Sequence, residues 1–98
     1  MENRSKYVEA VLERSQVFEK VTDIMSEING CFPFGKIDVS TITEDTSFNE
    51  IGFDSLDEAD MIMRMEIAFN VSIPYEFEMF TVKDAVDEII KLKKSEQS

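Results

Sequence analysis

Histidine and tryptophan are both absent from this chain of 98 residues. The absence of histidine removes the commonest general base and most zinc sites. The single cysteine, Cys31, cannot form an internal disulfide and has no histidine partner for thiol catalysis. One unpaired cysteine fits a reducing cytosol, and we expect a cytoplasmic location. Together these absences argue against an enzyme.

Glycine and proline are scarce, with three and two copies, so long stretches of the chain favour helices. Apolar residues make up 43% of the sequence, which is enough for one modest core in a single domain spanning residues 1–98. No apolar run approaches the roughly 18 residues that a membrane span requires. The first residues lead into no continuous apolar segment, so we do not expect a signal peptide.

Basic residues are rare in the middle of the chain. Residues 38–88 contain fourteen acidic residues and only two basic ones, Arg64 and Lys83, whereas the whole chain has a net charge of −11. Such a surface repels nucleic acids and anionic lipids and attracts basic protein partners. The acids also keep a small domain dissolved as a monomer, and the two interpretations are compatible.

Apolar residues recur at three- and four-residue steps, which is the pattern of amphipathic helices. We predict helices at residues 4–28, 55–69, 74–79 (a short one) and 82–92. Residues 31–46 are predicted to be a long connection, with a strand at 36–43 ranked below a loop. The tail at 94–98 should fray. The expected fold is all-α, a small three-to-four-helix up-and-down bundle with a long loop after the first helix.

The second predicted helix carries two apolar stripes when its residues are placed at steps of 100°. The predicted core stripe consists of Met61, Ile62, Met65 and Phe69. The second stripe consists of Leu56, Ala59, Met63 and Ile67. A surface helix needs only one stripe, so the second is either further core or a docking face, and the pattern favours core. Asp57, Asp60 and Arg64 are expected to point towards water.

Ser55 stands where a glycine turn at Gly52 leads into this acidic helix. A side chain in the first turn of a helix cannot be wrapped by neighbours on all sides, so its hydroxyl should be reachable. The free backbone N–H groups there favour a phosphate on that hydroxyl. Asp54 is the predicted N-cap, and Asp57 and Glu58 suit the positive end of the helix dipole.

Residues 52–56, which read Gly-Phe-Asp-Ser-Leu and are followed by acids, resemble the prosthetic-group site of acyl carrier proteins. Residues 42–48, 69–74 and 81–86 resemble further blocks of that family in the same order. The resemblance therefore covers about residues 38–92. It implies that Ser55 carries 4′-phosphopantetheine, taken from coenzyme A, and that the arm holds acyl groups as thioesters. It implies no resident metal.

The resemblance also implies partners, namely a phosphopantetheinyl transferase and acyl-loading and acyl-processing enzymes with basic docking surfaces. Asp54 would help to position Ser55 for modification. The implied partner-facing residues are Leu56, Asp57, Asp60, Met63 and Glu66. Phe53 departs from the family, which usually has a small residue there, as do Ala59, Arg64 and the short segment 75–80. These departures favour a carrier specialised beside the housekeeping one of fatty-acid synthesis.

Three other hypotheses compete with this interpretation. The chain could be an unmodified interaction module in which Phe53 blocks the transferase. It could also be a peptidyl or aminoacyl carrier, which shares the fold and the arm. A calcium-binding loop starting at Asp45 fails, because Glu50 occupies the position that needs glycine and Leu56 the one that needs glutamate.

Overall fold

The computed structural model describes residues 13–29 and 39–97. This part contains three α-helices, which we label α1 (Arg14–Asn29), α2 (Ser55–Phe69) and α3 (Val82–Gln97). A 3₁₀ turn at Val39–Thr41 precedes α2. The described residues form no strand, and one isolated antiparallel bridge pairs Ser47 with Thr81. The predicted all-α class is therefore confirmed.

Helix α1 is the centre of the packing, because it contacts both α2 and α3. Its buried residues repeat at helical spacing: Val17, Val21, Ile24, Met25 and Ile28. It extends to Asn29, one residue beyond the predicted end at residue 28. The prediction of one uninterrupted helix from residue 4 was wrong, because Glu13 is not helical and α1 begins at Arg14. Residue 4 itself and the possible strand at 36–38 lie outside the described residues.

Helix α2 packs against the core through the stripe of residues that was predicted to be buried. Met61 and Met65 are fully buried, and Ile62 and Phe69 are partly buried against the same core. The expectation that the second stripe is core was wrong, because Leu56, Met63 and Ile67 are 79%, 58% and 80% exposed. Ala59 is exposed as well. The described connection sends Ile42, Phe48 and Phe53 into the core, so it leaves this face of α2 open.

The predicted short helix at residues 74–79 does not form. The chain makes one turn, with the Phe77 N–H donating to the Pro74 carbonyl at 3.1 Å, and then runs on without regular structure. Ile73 and Met79 are both buried. These two anchors leave too few residues between them for a stable helix.

Helix α3 begins at Val82, as predicted. Thr81 caps it reciprocally with Asp84, whose N–H donates to Thr81 Oγ1 at 3.3 Å while the Thr81 N–H donates to Asp84 Oδ2 at 3.0 Å. The helix continues to Gln97, so the predicted end at residue 92 was wrong. Lys93 and Lys94 are good helix formers, and no glycine or proline interrupts this end.

Candidate functional site

A tight turn delivers the chain to the start of α2. Gly52 has a φ of +91°, in the left-handed region that favours glycine. Its N–H donates to the Asn49 carbonyl at 3.1 Å, and the next N–H, that of Phe53, donates to the Phe48 carbonyl at 3.0 Å. These bonds fix the direction in which the following residues leave the turn.

Phe53 points into the core and not over the neighbouring serine. It is 4% exposed, and its ring centroid lies 5.5 Å from that of the fully buried Phe48, with the planes tilted by 47°. An aromatic pair of this kind packs favourably in an offset or tilted geometry. The unusual residue beside Ser55 is therefore part of the interior.

Asp54 and Asp57 close the N-terminus of α2 as a capping box. Asp54 Oδ1 accepts from the Asp57 N–H at 2.9 Å, and Asp57 Oδ2 accepts from the Asp54 N–H at 3.1 Å. The predicted N-cap is thus confirmed. Asp57 is only 9% exposed, so the expectation that it points towards water was wrong. The reciprocal bonds hold its carboxylate against the backbone.

Ser55 is the first residue of α2, and it is exposed. Its hydroxyl makes no hydrogen bond to another described residue. The first hydrogen bond within the helix joins the Glu58 N–H to the Asp54 carbonyl at 2.9 Å. The N–H groups of Ser55 and Leu56 precede that bond and so face the end of the helix beside the Ser55 hydroxyl.

The other residues expected to face partners divide into two pairs. Leu56 and Met63 are exposed. Asp60 and Glu66 are half-buried and already have partners within the protein: Asp60 Oδ1 accepts from Arg64 Nε at 3.0 Å, and Glu66 Oε2 accepts from the Ile73 N–H at 2.8 Å. Their carboxylates are therefore less available than their position in the sequence suggests.

Ile67 is a surface residue that the sequence interpretation did not assign to the site. It is 80% exposed, and it continues the row of Leu56 and Met63 along α2. We call these three residues and Ala59 the apolar face of α2. The second apolar stripe of the sequence pattern already indicated this face, but we predicted that the stripe is part of the core.

Arg64 links α2 to α1 beside this face. In addition to its bond with Asp60, its Nη1 lies 3.1 Å from Glu27 Oε1. The pKa of the guanidinium is raised, chiefly by the hydrogen bond to Asp60. Residues 13–29 and 39–97 contain no group of three or more acids or cysteines placed to hold a metal ion. No helix among them has the length and apolar character needed to cross a membrane.

Comparisons with known proteins identify the family to which this chain belongs. Residues 19–89 match the family model described as a phosphopantetheine attachment site. The chain is also 35% identical over 85 residues to the acyl carrier protein of Guillardia theta, which covers 86% of this chain and 88% of that one. It matches the crystal structure of the acyl carrier protein from Thermotoga maritima with a TM-score of 0.72 and 34% identity, over 86% of this chain and 94% of that one. The chain belongs to the acyl carrier protein family.

Proposed function

We propose that this chain carries acyl groups as thioesters on a 4′-phosphopantetheine arm attached to Ser55. The observation that carries the proposal is the Ser55 hydroxyl, which is exposed on the first residue of α2 and lies within the residues matched by the attachment-site model. In this role the protein is a substrate of other enzymes and performs no catalysis of its own.

The residues around Ser55 fit such a group. A phosphodiester on Oγ would lie at the N-terminus of α2, where the N–H groups of Ser55 and Leu56 can donate to phosphate oxygens. The carboxylates of Asp54 and Asp57 are turned to the backbone by the capping box. They therefore hold the helix start in place, and this is the positioning role that we assign to Asp54.

The apolar face of α2 is the surface that we propose for partner enzymes. Leu56 lies directly beside Ser55, and Met63 and Ile67 extend the exposed row along the helix. The surrounding segment 38–88 has twelve more acids than bases. Such a surface suits partners that place basic residues around an apolar contact. The phosphopantetheinyl transferase and the acyl-loading and acyl-processing enzymes of fatty-acid, polyketide or related pathways are the proposed partners.

The burial of Phe53 weighs against the competing hypothesis of an unmodified interaction module. That hypothesis relied on Phe53 as a bulky neighbour that obstructs the transferase at Ser55. A side chain that is 4% exposed and packed on Phe48 leaves the approach to the hydroxyl open. A peptidyl or aminoacyl carrier would have the same arm, so only the group that is loaded on the arm distinguishes it from an acyl carrier.

The proposal is tested by intact mass after incubation with coenzyme A, Mg²⁺ and a broad-specificity phosphopantetheinyl transferase. We expect the mass to rise by one phosphopantetheine group. Ser55→Ala should abolish the gain, whereas Ser72→Ala, at another exposed serine, should retain it. Failure with several transferases would contradict the proposal. Loading the modified chain with acyl or with aminoacyl donors then separates the two kinds of carrier.

A further inference from the structure

We propose that Arg64 is a specificity-determining residue that weakens recognition of this carrier by partners whose docking surface is purely basic. The inference rests on the proposed carrier function and concerns its partner surface. In an acidic protein, charge complementarity with a basic partner raises the rate of association and selects among partners. A base placed within the contact surface lowers that complementarity.

The ion pairs of Arg64 withdraw two carboxylates from this surface. Its Nε lies 3.0 Å from Asp60 Oδ1, and its Nη1 lies 3.1 Å from Glu27 Oε1 on α1. The three side chains are 38%, 41% and 59% exposed, so all of them remain within reach of an approaching protein. Asp60, Glu27 and Arg64 thus meet a partner as one ion-paired group with a net charge of −1, and not as two free anions.

The position of Arg64 places it within the reach of a partner at Ser55. Arg64 follows Ser55 by nine positions in α2, which is about 13.5 Å along the axis at 1.5 Å per residue. A standard interface covers about 800 Å² on each protein, a patch large enough to include both. Arg64 adjoins Met63 in the sequence and lines a shallow groove between α1 and α2 together with Ile67.

Lys83 supplies a matched control for the effect of charge alone. Arg64 and Lys83 are the two bases in residues 38–88, and each pairs with an aspartate one helical turn away. Lys83 Nζ lies 2.8 Å from Asp87 Oδ2, and both residues are on α3, whereas the apolar face belongs to α2. Replacing either base with glutamine changes the net charge of the chain by the same amount.

The test measures KM and kcat for transfer of phosphopantetheine by a broad-specificity transferase with a basic docking surface. We expect Arg64→Gln to lower KM by about threefold to tenfold at low salt, because it frees Asp60 and Glu27. The kcat should stay the same, since Arg64 lies away from the reacting hydroxyl. Added salt should reduce the difference. Lys83→Gln should leave KM unchanged, and Arg64→Lys should keep the KM of the unaltered chain.

Two outcomes separate the failure of this inference from that of the carrier function. If both glutamine variants change KM equally, or if Arg64→Gln leaves KM unchanged or raises it, the inference is overturned while the carrier function stands. If the unaltered chain accepts no phosphopantetheine, as judged by intact mass, the carrier function is overturned and the inference falls with it.

Discussion

The carboxylate of Glu66 accepts a hydrogen bond from the backbone N–H of Ile73 at 2.8 Å. The carbonyl of the same residue accepts from the N–H groups of Asn70 and Val71. Glu66 therefore fixes the reversal of the chain after α2, where Asn70 takes up a left-handed conformation with a φ of 56°. This arrangement places Ile73 in the core, and it gives Glu66 a structural role beside its proposed place on the partner surface.

Replacing Glu66 with alanine is expected to lower the free energy of unfolding by about 1–3 kcal/mol, because a partly buried N–H loses its acceptor. Glu66→Gln should cost less, since its amide oxygen can still accept the bond from Ile73. Urea denaturation measures both changes. Glu76→Ala removes an exposed acid from the connection between α2 and α3 and serves as the control. Equal losses for Glu66→Ala and Glu76→Ala would contradict the structural role.

Met61 and Met63 test which stripe of α2 belongs to the core. Both are methionines of the same helix, but one belongs to the buried stripe and the other to the exposed stripe. Met61 is fully buried and Met63 is 58% exposed. Met61→Ala should lower the free energy of unfolding by about 2–5 kcal/mol, since it leaves a cavity in the core. Met63→Ala should change it by less than about 0.5 kcal/mol. Chemical denaturation of the two variants measures both changes. A large loss of unfolding free energy in Met63→Ala would show that the second stripe is part of the core.

Several features of this fold that depend on local chemistry could be predicted from the sequence. Asp54 is predicted as a cap because a short oxygen-bearing side chain before an apolar run satisfies free N–H groups at a helix start. The predicted bounds of this helix, residues 55–69, are also confirmed. The core stripe of α2 followed from helical periodicity alone.

Features that depend on how distant segments pack could not be predicted in the same way. Periodicity shows that Leu56, Met63 and Ile67 share a face of α2, and it cannot show whether another segment covers that face. The sequence also placed Glu66 on the surface without showing that its carboxylate reaches the backbone of Ile73. Both outcomes depend on the path of a connection, and that path is set by which of its apolar residues enter the core.

Phe53 is expected to contribute to stability and not to obstruct Ser55. Phe53→Ala should lower the free energy of unfolding by about 3–5 kcal/mol, because it removes a buried ring packed on Phe48. Phe80, which is 65% exposed, provides the matched control, and Phe80→Ala should cost far less. Thermal and urea denaturation measure the difference. Phe53→Leu retains most of the buried area and is the variant in which transfer to Ser55 can be compared. Faster transfer to this variant than to the unaltered chain would show that Phe53 obstructs the site.

A group of four charged residues joins the start of α1 to the connection and to α3. Arg14 Nη2 lies 2.7 Å from Glu44 Oε1 and 2.6 Å from Asp87 Oδ1, and Lys83 Nζ lies 2.8 Å from Asp87 Oδ2. The hydrogen bond from Lys83 has the largest effect and lowers the pKa of Asp87. Burial opposes it, and the hydrogen bond from Arg14 then adds to the lowering, so the net shift is downward. Because the folded-state pKa is lower than the unfolded one, Asp87 stabilises the fold above its usual pKa of about 3.9. That contribution is lost as the pH falls through the lowered value.

Asp87→Asn should therefore lower the free energy of unfolding at neutral pH and have progressively less effect in acid. The side chain of Asp87 is 43% exposed, so solvent screening limits the expected loss to less than about 1 kcal/mol. The measurement is a series of urea midpoints for both chains from about pH 7 to about pH 2, with and without added salt, which should also shrink the difference. Asp45→Asn removes the same charge from an exposed position in the connection and serves as the control. A difference for Asp87→Asn that persists unchanged below the folded-state pKa would mean that Asp87 stabilises the fold through packing, and not through its charge.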